Sequence, residues 1–418
     1  MLTQQRTDGH RVAFVGGGVI ALCSAFYLQR RGYEVTIFEK ATLGSGASRG
    51  NGGQIVTADP LPAPGMVRDA LHHWFSPSSA FYVHPRSLLD LAPFLGRFAL
   101  NSNSRAYLEA FNKLDQFNRV RAVLFDELAE AGIGTHFEAT GNLRAFQVRE
   151  TALRDWQAAR RLASLGLAQA PGEFLGPADL RALEPSLGPA AQWGFLRSDV
   201  RFGDPSKFVD QLNQHLSENG VTINEDSAVT AVAEKNGSVV VSQQGNEASF
   251  DQVLIAAGLG STELLRRLGA RIRMVAGKGY SFTVLPERMP SYTVLLGEAH
   301  VGATPLDGTR LRIAGTMELG AGTKGAMESR IDRIAEAAAP FLGGVDWSDI
   351  REQWSAARPM TPDGLPYVGR VGRSQRIFAA TGHNMLGLSL APATGQAITD
   401  LMSGTADDSS LAAFALNR

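Results

Sequence analysis

The chain has 418 residues, of which 44% are hydrophobic and 19% charged, and its formal net charge is -1. This composition is that of a globular protein with room for two or three folded regions. The near-neutral charge argues against a nucleic-acid-binding surface, and the single cysteine, Cys23, excludes disulfides and cysteine metal clusters.

The first predicted unit is a β-α-β segment over residues 12–39. The strand VAFV runs into three glycines, a helix follows to about Arg31, and the strand VTIF ends in Glu39. This order matches G-x-G-x-x-[GA], in which glycines let a pyrophosphate approach a helix N-terminus. A carboxylate at Glu39 accepts hydrogen bonds from an adenosine ribose, which favours FAD or NAD over NADP. The expected contacts are Gly16, Gly18, Val19, Ile20, Glu39 and Lys40.

The same stretch is largely apolar and therefore has two other interpretations, a signal peptide and a membrane span. Three successive glycines interrupt it, and the apolar run is shorter than the roughly 20 residues that a spanning helix needs. It also lacks a small-residue cleavage site. We expect a cytoplasmic protein, and composition leaves a peripheral contact with the inner face of the membrane open.

Residues 41–65 are predicted to form loops, and residues 86–185 are predicted to be mainly helical. The clearest helix spans about 104–131 and carries an apolar stripe on one face, which we assign to the core. The stripe comprises Tyr107, Phe111, Leu114, Phe117, Val120, Leu124 and Leu128.

In the second half, a helix is predicted from Asp204 to Gly220, and strand-like runs prevail over 280–317. The strand 377–381 precedes a last helix of about 389–403. Further strands are predicted at 221–224, 227–233, 238–242 and 249–256. Since pieces of the nucleotide-binding unit lie at the start, middle and end, we predict one discontinuous domain with a second domain inserted twice. The predicted bounds are 1–60, 197–265 and 350–418 for the first domain, and 61–196 and 266–349 for the second, substrate-binding domain.

Six motifs in chain order make the sequence resemble the flavin-dependent D-amino-acid oxidase superfamily along almost its whole length. Within it, the chain looks most similar to the bacterial D-amino-acid dehydrogenase small-subunit group and to glycine-oxidase-like relatives. The motifs are GGGVIA with Glu39, GASRGNGGQI (46–55), LIAAGLGS (254–261), GTMELG (315–320), RPMTPDGLPYVG (358–369) and TGHNMLGLSLAPATGQAITDL (381–401).

The resemblance implies a two-domain α/β fold, in which a discontinuous Rossmann-type FAD-binding domain carries an inserted domain of antiparallel sheet plus helices. It also implies noncovalent FAD, because no cysteine lies near the final helix, where covalent-flavin relatives carry one. The flavin would run along the glycine-rich loop and meet two later glycine turns. The cofactor contacts expected there are Ser48, Asn51, Gly52, Gly53, Gln54, Ala257, Gly258, Gly382, His383, Met385, Leu386 and Gly387.

Arg358 is the candidate anchor for a substrate carboxylate, because a guanidinium binds a carboxylate through two parallel hydrogen bonds. It matches the arginine of the RP-x-T-x-DG motif that holds the substrate carboxylate in glycine-oxidase-like relatives; the alternative is a bridge to Asp363 or to a carbonyl. His383 and Tyr280 are the other catalytic candidates, and structural roles are their alternatives. Arg312 either approaches the flavin or is a solvated strand residue.

The implied activity is FAD-dependent oxidative deamination of an α-amino acid, which we expect to be a D-amino acid. Hydride transfer from Cα to flavin N5 leaves an imine that hydrolyses to a 2-oxo acid, and a quinone or another acceptor takes the electrons. The alternative keeps the fold and changes the substrate to glycine, an N-substituted glycine or a cyclic secondary amine such as D-proline or hydroxy-D-proline. That alternative acts as an oxidase or a dehydrogenase.

Other classes of protein share single features with this chain. The G-x-S-x-G match at Gly46–Gly50 suggests a serine hydrolase, but a nucleophile elbow needs a strand before it and a helix after it. The GNGGQ loop and the TGHNMLG turn argue against a nicotinamide dehydrogenase, and Arg358 argues against a flavin-binding regulator. His72 and His73 are adjacent and the other histidines scattered, so no metal site is expected.

Overall fold

The computed structural model describes residues 9–67, 81–320 and 327–418, so the pair His72 and His73 lies outside the described residues. Within these ranges, no helix is both long and apolar enough to cross a membrane. The strands are β1 Arg11–Val15, β2 Glu34–Phe38, β3 Gln54–Ile55, β4 Phe81–Val83, β5 Asn142–Phe146, β6 Trp193–Arg197, β7 Arg201–Phe202, β8 Thr222–Asn224, β9 Val229–Lys235, β10 Ser238–Gln243, β11 Asn246–Phe250, β12 Gln252–Ile255, β13 Val275–Val284, β14 Thr293–Leu296, β15 Val301–Pro305, β16 Leu311–Leu319, β17 Arg351–Met360, β18 Tyr367–Arg370 and β19 Ile377–Thr381. The described helices are α1 Val19–Gln29, α2 Leu88–Asn101, α3 Ser104–Glu130, α4 Arg149–Ser164, α5 Pro177–Leu183, α6 Pro205–Glu218, α7 Ser261–Arg267, α8 Met327–Ala338 and α9 Gly387–Met402.

A six-stranded sheet in the order β18-β19-β12-β1-β2-β8 forms the centre of the nucleotide-binding part. Its strands are parallel except β18, which runs antiparallel to β19. The chain leaves β1 toward β2 on one side and later returns to β12 on the other side. Such a reversal opens a crevice at the carboxyl ends of the strands, where α/β proteins bind their ligands. The predicted Rossmann-type α/β fold class is confirmed.

A second sheet of eight described strands follows the order β17-β13-β16-β15-β14-β5-β6, with β4 beside β16. Its pairings are antiparallel except β14 with β5 and β16 with β4. Helix α8 covers one face and buries Ile331 and Ile334 against the sheet. The other face is therefore left to line the cavity described below.

One local prediction was wrong, and a second was incomplete, since residues 86–185 are mainly helical as predicted but also contain a strand. The single strand predicted over 249–256 is two strands that bend at Asp251, whose carboxylate and N–H both bind the backbone of Arg11. This bend carries the chain from a small antiparallel sheet, β9 to β11, into the six-stranded sheet. Strand β5 lies inside the region predicted to be helical, because its five residues are too few for a pattern that distinguishes a buried strand from a helix.

The predicted domain bounds stay a proposal, with one adjustment. Strand β17 falls in the part that the sequence assigned to the nucleotide-binding domain, yet it pairs with β13 along most of its length. That pairing makes β17 an edge of the eight-stranded sheet. We therefore propose that the last crossing between the two parts follows Met360.

Helix α3 matches the predicted helix to within one residue because its signals are local. Asn103 caps its N-terminus by accepting the N–H groups of Arg105 and Ala106. The predicted stripe packs into the core except at two positions: Val120 is 38% exposed, and Tyr107 binds a carboxylate that faces the cavity.

Candidate functional site

A cavity of about 1730 Å³ lies between the carboxyl edge of the six-stranded sheet and the uncovered face of the eight-stranded sheet. Pockets for small ligands are typically about 300–1,000 Å³, so this one has room for a large cofactor and a second ligand. Most of the predicted site residues line it: Gly16, Gly18, Val19, Ile20, Glu39, Lys40, Ser48, Asn51, Gly52, Gln54, Ala257, Gly258, Arg358, Gly382, His383, Met385, Leu386 and Gly387.

The first glycine turn joins β1 to α1 at one end of this cavity. Gly16 has φ +109, and a Cβ on it would lie 2.5 Å from the carbonyl oxygen of Ala256, so only glycine fits. A Cβ on Gly18 would meet nothing closer than 3.4 Å, which leaves space above the backbone. The N–H groups of Gly18 and Ile20 have no hydrogen-bond acceptor among the described residues. Together with the helix dipole, these groups form a site for an anionic group.

Glu39 ends β2 beside this turn. Its carboxylate accepts the N–H of Gly17 at 2.7 Å and the N–H of Ala41 at 3.1 Å. These two bonds fix the carboxylate at the rim of the cavity and leave lone pairs for a ligand hydroxyl. Lys40 lines the cavity next to it.

The loop after residue 44 is held in place by its own polar side chains. Asn51 donates to the carbonyl of Ser48 at 2.5 Å and accepts the N–H of Gly53 at 2.8 Å. The Ser48 hydroxyl accepts the N–H of Val19 at 3.2 Å. Gly53 does not line the cavity, because it packs on Gly203, whose carbonyl would lie 2.3 Å from an added Cβ.

This loop consists of turns rather than a strand followed by a helix, so the predicted absence of a hydrolase nucleophile elbow agrees with its geometry. Ser48 is buried and its oxygen serves the start of α1. It has the role of a structural acceptor.

The N-terminus of α9 reaches the cavity through Met385, Leu386 and Gly387. The first backbone bond of this helix runs from Leu390 to Leu386, and within the described ranges no group accepts the N–H groups of residues 387, 388 and 389. The turn before it is fixed by Asn384 at φ +53, which accepts the N–H of Thr361 at 2.8 Å. This helix end therefore offers unused donors and a positive dipole end to negative charge.

His383 lies in the same turn and lines the cavity, but only 3% of it is exposed. Its Nε2 is 3.1 Å from the hydroxyl of Thr394. Burial lowers the pKa of His383 to about 3, so the imidazole is neutral at physiological pH. These contacts support a structural hydrogen bond at this position.

Arg358 points its guanidinium into the cavity from β17. The guanidinium lies over the backbone of Gly279, where an added Cβ would be 2.1 Å from Nη1. Nη1 donates to the carbonyl of Thr316 at 3.4 Å, and burial lowers the arginine pKa to about 10. The alternative partner, Asp363, is bound by Arg418 at 2.8 Å instead. No carboxylate of the described chain lies within ion-pair distance of Arg358, so its charge is available to a ligand.

Tyr280 is not at the cavity, although the sequence made it a catalytic candidate. Its side chain is 1% exposed, lies in the core cluster beneath α8, and donates to Glu318 at 2.5 Å. The pairing of β13 with β16 shifts register between Lys278 and Tyr280. Such a bulge changes which face a side chain meets, and single-sequence alternation does not reveal it.

Arg312 fits neither of its two predicted descriptions. It does not line the cavity, and at 5% exposure it is not a solvated strand residue. Its Nη2 is 3.4 Å from a carboxylate oxygen of Glu352, and burial lowers its pKa. Arg312 is a buried residue of the sheet.

Several residues at the far end of the cavity have no signal in the sequence. Asp59 follows β3, and Arg144 comes from β5. Glu298, His300 and Gly302 come from the β14–β15 hairpin. The sheet register aligns the strands that carry these residues, the loop after β3 brings Asp59 to them, and no motif spacing encodes either. Among the described residues, no group of three possible metal ligands exists here or elsewhere.

Comparisons with known proteins identify what this arrangement resembles. A family model described as DAO, FAD dependent oxidoreductase, matches residues 11–401. A D-amino acid dehydrogenase from Methylobacterium radiotolerans is 30% identical over 422 residues, covering 97% of this chain and 99% of the relative. One from Rhizorhabdus wittichii is 31% identical over 412 residues, covering 94% and 96%. The crystal structure of a glycine oxidase from Geobacillus kaustophilus superposes with a TM-score of 0.75 at 25% identity, covering 98% and 99%.

Proposed function

This chain belongs to the DAO family of FAD-dependent oxidoreductases, and on that premise we propose that it deaminates a D-amino acid oxidatively. The observation that carries the proposal is the guanidinium of Arg358, which pairs with no carboxylate of the described residues, in a cavity large enough for FAD and a substrate. The names of its relatives, D-amino acid dehydrogenases at about the same length, support the same substrate class. Glycine, an N-substituted glycine and a cyclic secondary amine remain the alternative substrates.

The residues present fit FAD. The open backbone at Gly18 and the unused N–H groups of Gly18 and Ile20 would hold the pyrophosphate, and Glu39 would accept from the ribose. The unused N–H groups at the start of α9 would face negative charge on the ring system. When bound, FAD supplies a two-electron acceptor for the hydride that leaves the substrate Cα.

The chain's own residues have three tasks in this reaction. Arg358 binds the substrate carboxylate through a two-bond fork, which fixes the position of Cα as well as the charge. The cavity wall limits water around the amine, which favours the neutral form that can lose a hydride. The resulting imine then hydrolyses to a 2-oxo acid and ammonia.

Anaerobic mixing with a substrate panel tests this proposal. The FAD-loaded protein is mixed with D-amino acids, glycine, sarcosine and D-proline, and the flavin absorbance near its oxidised maximum is followed. We expect D-amino acids to bleach the flavin fastest. Faster bleaching by glycine, sarcosine or D-proline would select the alternative, and no bleaching by any of them would overturn both.

Replacement of Glu39 by alanine is expected to weaken FAD binding about 10- to 100-fold, because a hydrogen bond to a charged group is worth roughly 1.5–3 kcal/mol. We propose that the FAD is noncovalent, and the sole cysteine, Cys23, is fully buried in α1 with a burial-raised pKa. FAD released by acid into the supernatant is therefore the measure of binding. Glu34→Ala, an exposed change on the same strand, is the control. Unchanged FAD retention in the Glu39 variant would contradict the role of Glu39, and flavin left on the precipitated chain would contradict noncovalent binding.

The pH dependence of flavin reduction is expected to report the substrate amine and not His383. The rate with saturating substrate rises with pH and reaches a plateau, because only the neutral amine loses hydride. Because the pKa of His383 is about 3, the imidazole is fully neutral at every pH at which the substrate amine titrates. His383→Asn should leave the apparent pKa of the rise in place. Loss of that pKa in the variant would make His383 a base.

The electron acceptor is a finer part of the proposal. We propose a quinone or another acceptor rather than oxygen, with the protein in contact with the inner face of the membrane. Helix α2 supports such a contact because Leu89 and Leu100 are 90% and 77% exposed, while the opposite face of the helix is buried. Reoxidation of the reduced enzyme by a soluble quinone should be faster than by oxygen; the reverse order would make it an oxidase.

A further inference from the structure

Among the described residues, the cavity carries a second charge without an ion-pair partner, of opposite sign to Arg358. Asp59 lines it, and its Oδ1 accepts the hydroxyl of Tyr107 at 2.6 Å. No described residue donates to its other oxygen, Oδ2, and none of the described cations lies within ion-pair distance. A desolvated carboxylate without a cation is costly, and burial raises the pKa of Asp59 accordingly. A cationic ligand would relieve that cost.

Two arginines near Asp59 act on it electrostatically without an ion-pair contact: Arg144, and Arg197, which is bound to Asp199 at 3.1 Å. Arg144 lines the same end of the cavity, but its Nη1 is bound to Asp155 at 2.6 Å. Glu298 is also there, and its two oxygens accept the N–H groups of Gln147 and Val148, both at 3.0 Å. Burial lowers the pKa of the neighbouring His300, which keeps it neutral. The far end of the cavity therefore holds an ion pair, an amide-bound carboxylate and the unpaired Asp59.

The register of the eight-stranded sheet gives the distance from the loop that contains Gly52 to the Arg144 end of the cavity. Four cavity-lining residues lie side by side on neighbouring strands: Arg144, Leu295, Gly302 and Ala314. At the inner end, the Cβ of Ala314 would be 3.5 Å from a Cβ on Gly52. Three strand spacings of about 4.8 Å separate Ala314 from Arg144, or about 14 Å. A long side chain on the substrate would extend further along this path than a short one.

We infer that the substrate is an amino acid with a long side chain that ends in a cation, an ammonium or a guanidinium group, and that Asp59 binds this cation. This inference rests on the proposed function, because it places the substrate carboxylate on Arg358. One molecule then pairs with both of the cavity charges that lack an ion-pair partner in the described part of the chain. Arg144 lines the cavity, and its charge is partly offset by Asp155, to which it is bound.

The experiment compares D-lysine and D-arginine with D-norleucine, which has the lysine chain without its terminal amine. In the unaltered holoenzyme, we expect kcat/KM for D-lysine to exceed that for D-norleucine at least about 10-fold. Asp59→Asn should lower kcat/KM for the two basic substrates about 10- to 100-fold, mainly through KM, and change that for D-norleucine less than about threefold. Asp126→Asn, the same change at an exposed site on α3, should change none of them.

The outcomes separate this inference from the proposed function. A preference for D-norleucine over D-lysine in the unaltered enzyme would overturn the inference, and this measurement needs no variant to fold. An equal fall for all three substrates in Asp59→Asn would also overturn it, since Asp59 would then contact the α-amine or support the fold. In both cases bleaching of the flavin by D-norleucine would leave the proposed function intact. Absence of bleaching by every D-amino acid would instead remove the proposed function itself.

Discussion

Arg358→Lys is expected to lower kcat/KM by at least about 100-fold while FAD content stays near that of the unaltered protein. Lysine keeps the charge but offers one ammonium where the guanidinium offers a planar fork, so the carboxylate loses its fixed orientation. Loss of one member of a desolvated, hydrogen-bonded charge pair costs roughly 2–5 kcal/mol, or about 30- to 5,000-fold in kcat/KM, and 100-fold lies within that range. Steady-state kinetics with the best D-amino acid and the released FAD are the two measurements.

Two further variants make this test specific. Arg351→Lys changes an arginine at the exposed start of the same strand and should leave kcat/KM within about twofold. Gly279→Ala retains the arginine at position 358. It adds a Cβ that would be 2.1 Å from Nη1 of Arg358, so the guanidinium must move. We expect this variant to raise KM. Full activity together with lost FAD in Arg358→Lys would show that Arg358 serves the cofactor or the fold.

Gly16→Ala is expected to abolish FAD retention at the concentrations used in purification. The residue has φ +109, and the added Cβ would meet the backbone oxygen of Ala256 at 2.5 Å, which no side-chain movement can relieve. Backbone strain and overpacking together cost roughly 2–6 kcal/mol, and the cost falls on the turn that would hold the pyrophosphate. The measurements are the ratio of FAD to protein and the melting temperature with and without added FAD.

Gly32→Ala is the matched control for this variant. Gly32 also has a positive φ, +83, but a Cβ there would meet nothing within 4 Å. The Gly32→Ala variant should therefore lose only about 1 kcal/mol of folding stability to conformational strain, and it should retain its FAD. Equal FAD loss in both variants would show that backbone strain alone, and not the contact with Ala256, controls the site.

The parts of the structure that the sequence predicts well are those whose signals are local. The strand–glycine–helix order of residues 11–29 and the helix Ser104–Glu130 depend on neighbouring residues, on caps and on apolar periodicity. The position of Arg358 follows from the same kind of signal, because Pro359 and its motif keep the backbone extended. Nearly all the cofactor contacts expected from glycine motifs line one cavity for this reason.

The parts that could not be predicted depend on how distant strands align. Tyr280 turned to the core because of a bulge opposite β16, and strand β5 lacked a pattern long enough to identify it. Asp59 and Arg144 are 85 positions apart in the numbering and share the cavity only through the sheet register and the path of the loop after β3. Even the finding that Asp363 does not pair with Arg358 needed the structure, which assigns Asp363 to Arg418.

A single-turnover experiment with two enantiomers tests the central proposal most directly. The FAD-loaded protein, without oxygen or acceptor, is mixed with the D- and the L-form of one amino acid, and the bleached flavin and the 2-oxo acid are both quantified. We expect the D-form to bleach the flavin and to yield one equivalent of 2-oxo acid per FAD, and the L-form to leave the flavin oxidised. Equal bleaching by the L-form, or bleaching without 2-oxo acid, would contradict oxidative deamination of a D-amino acid.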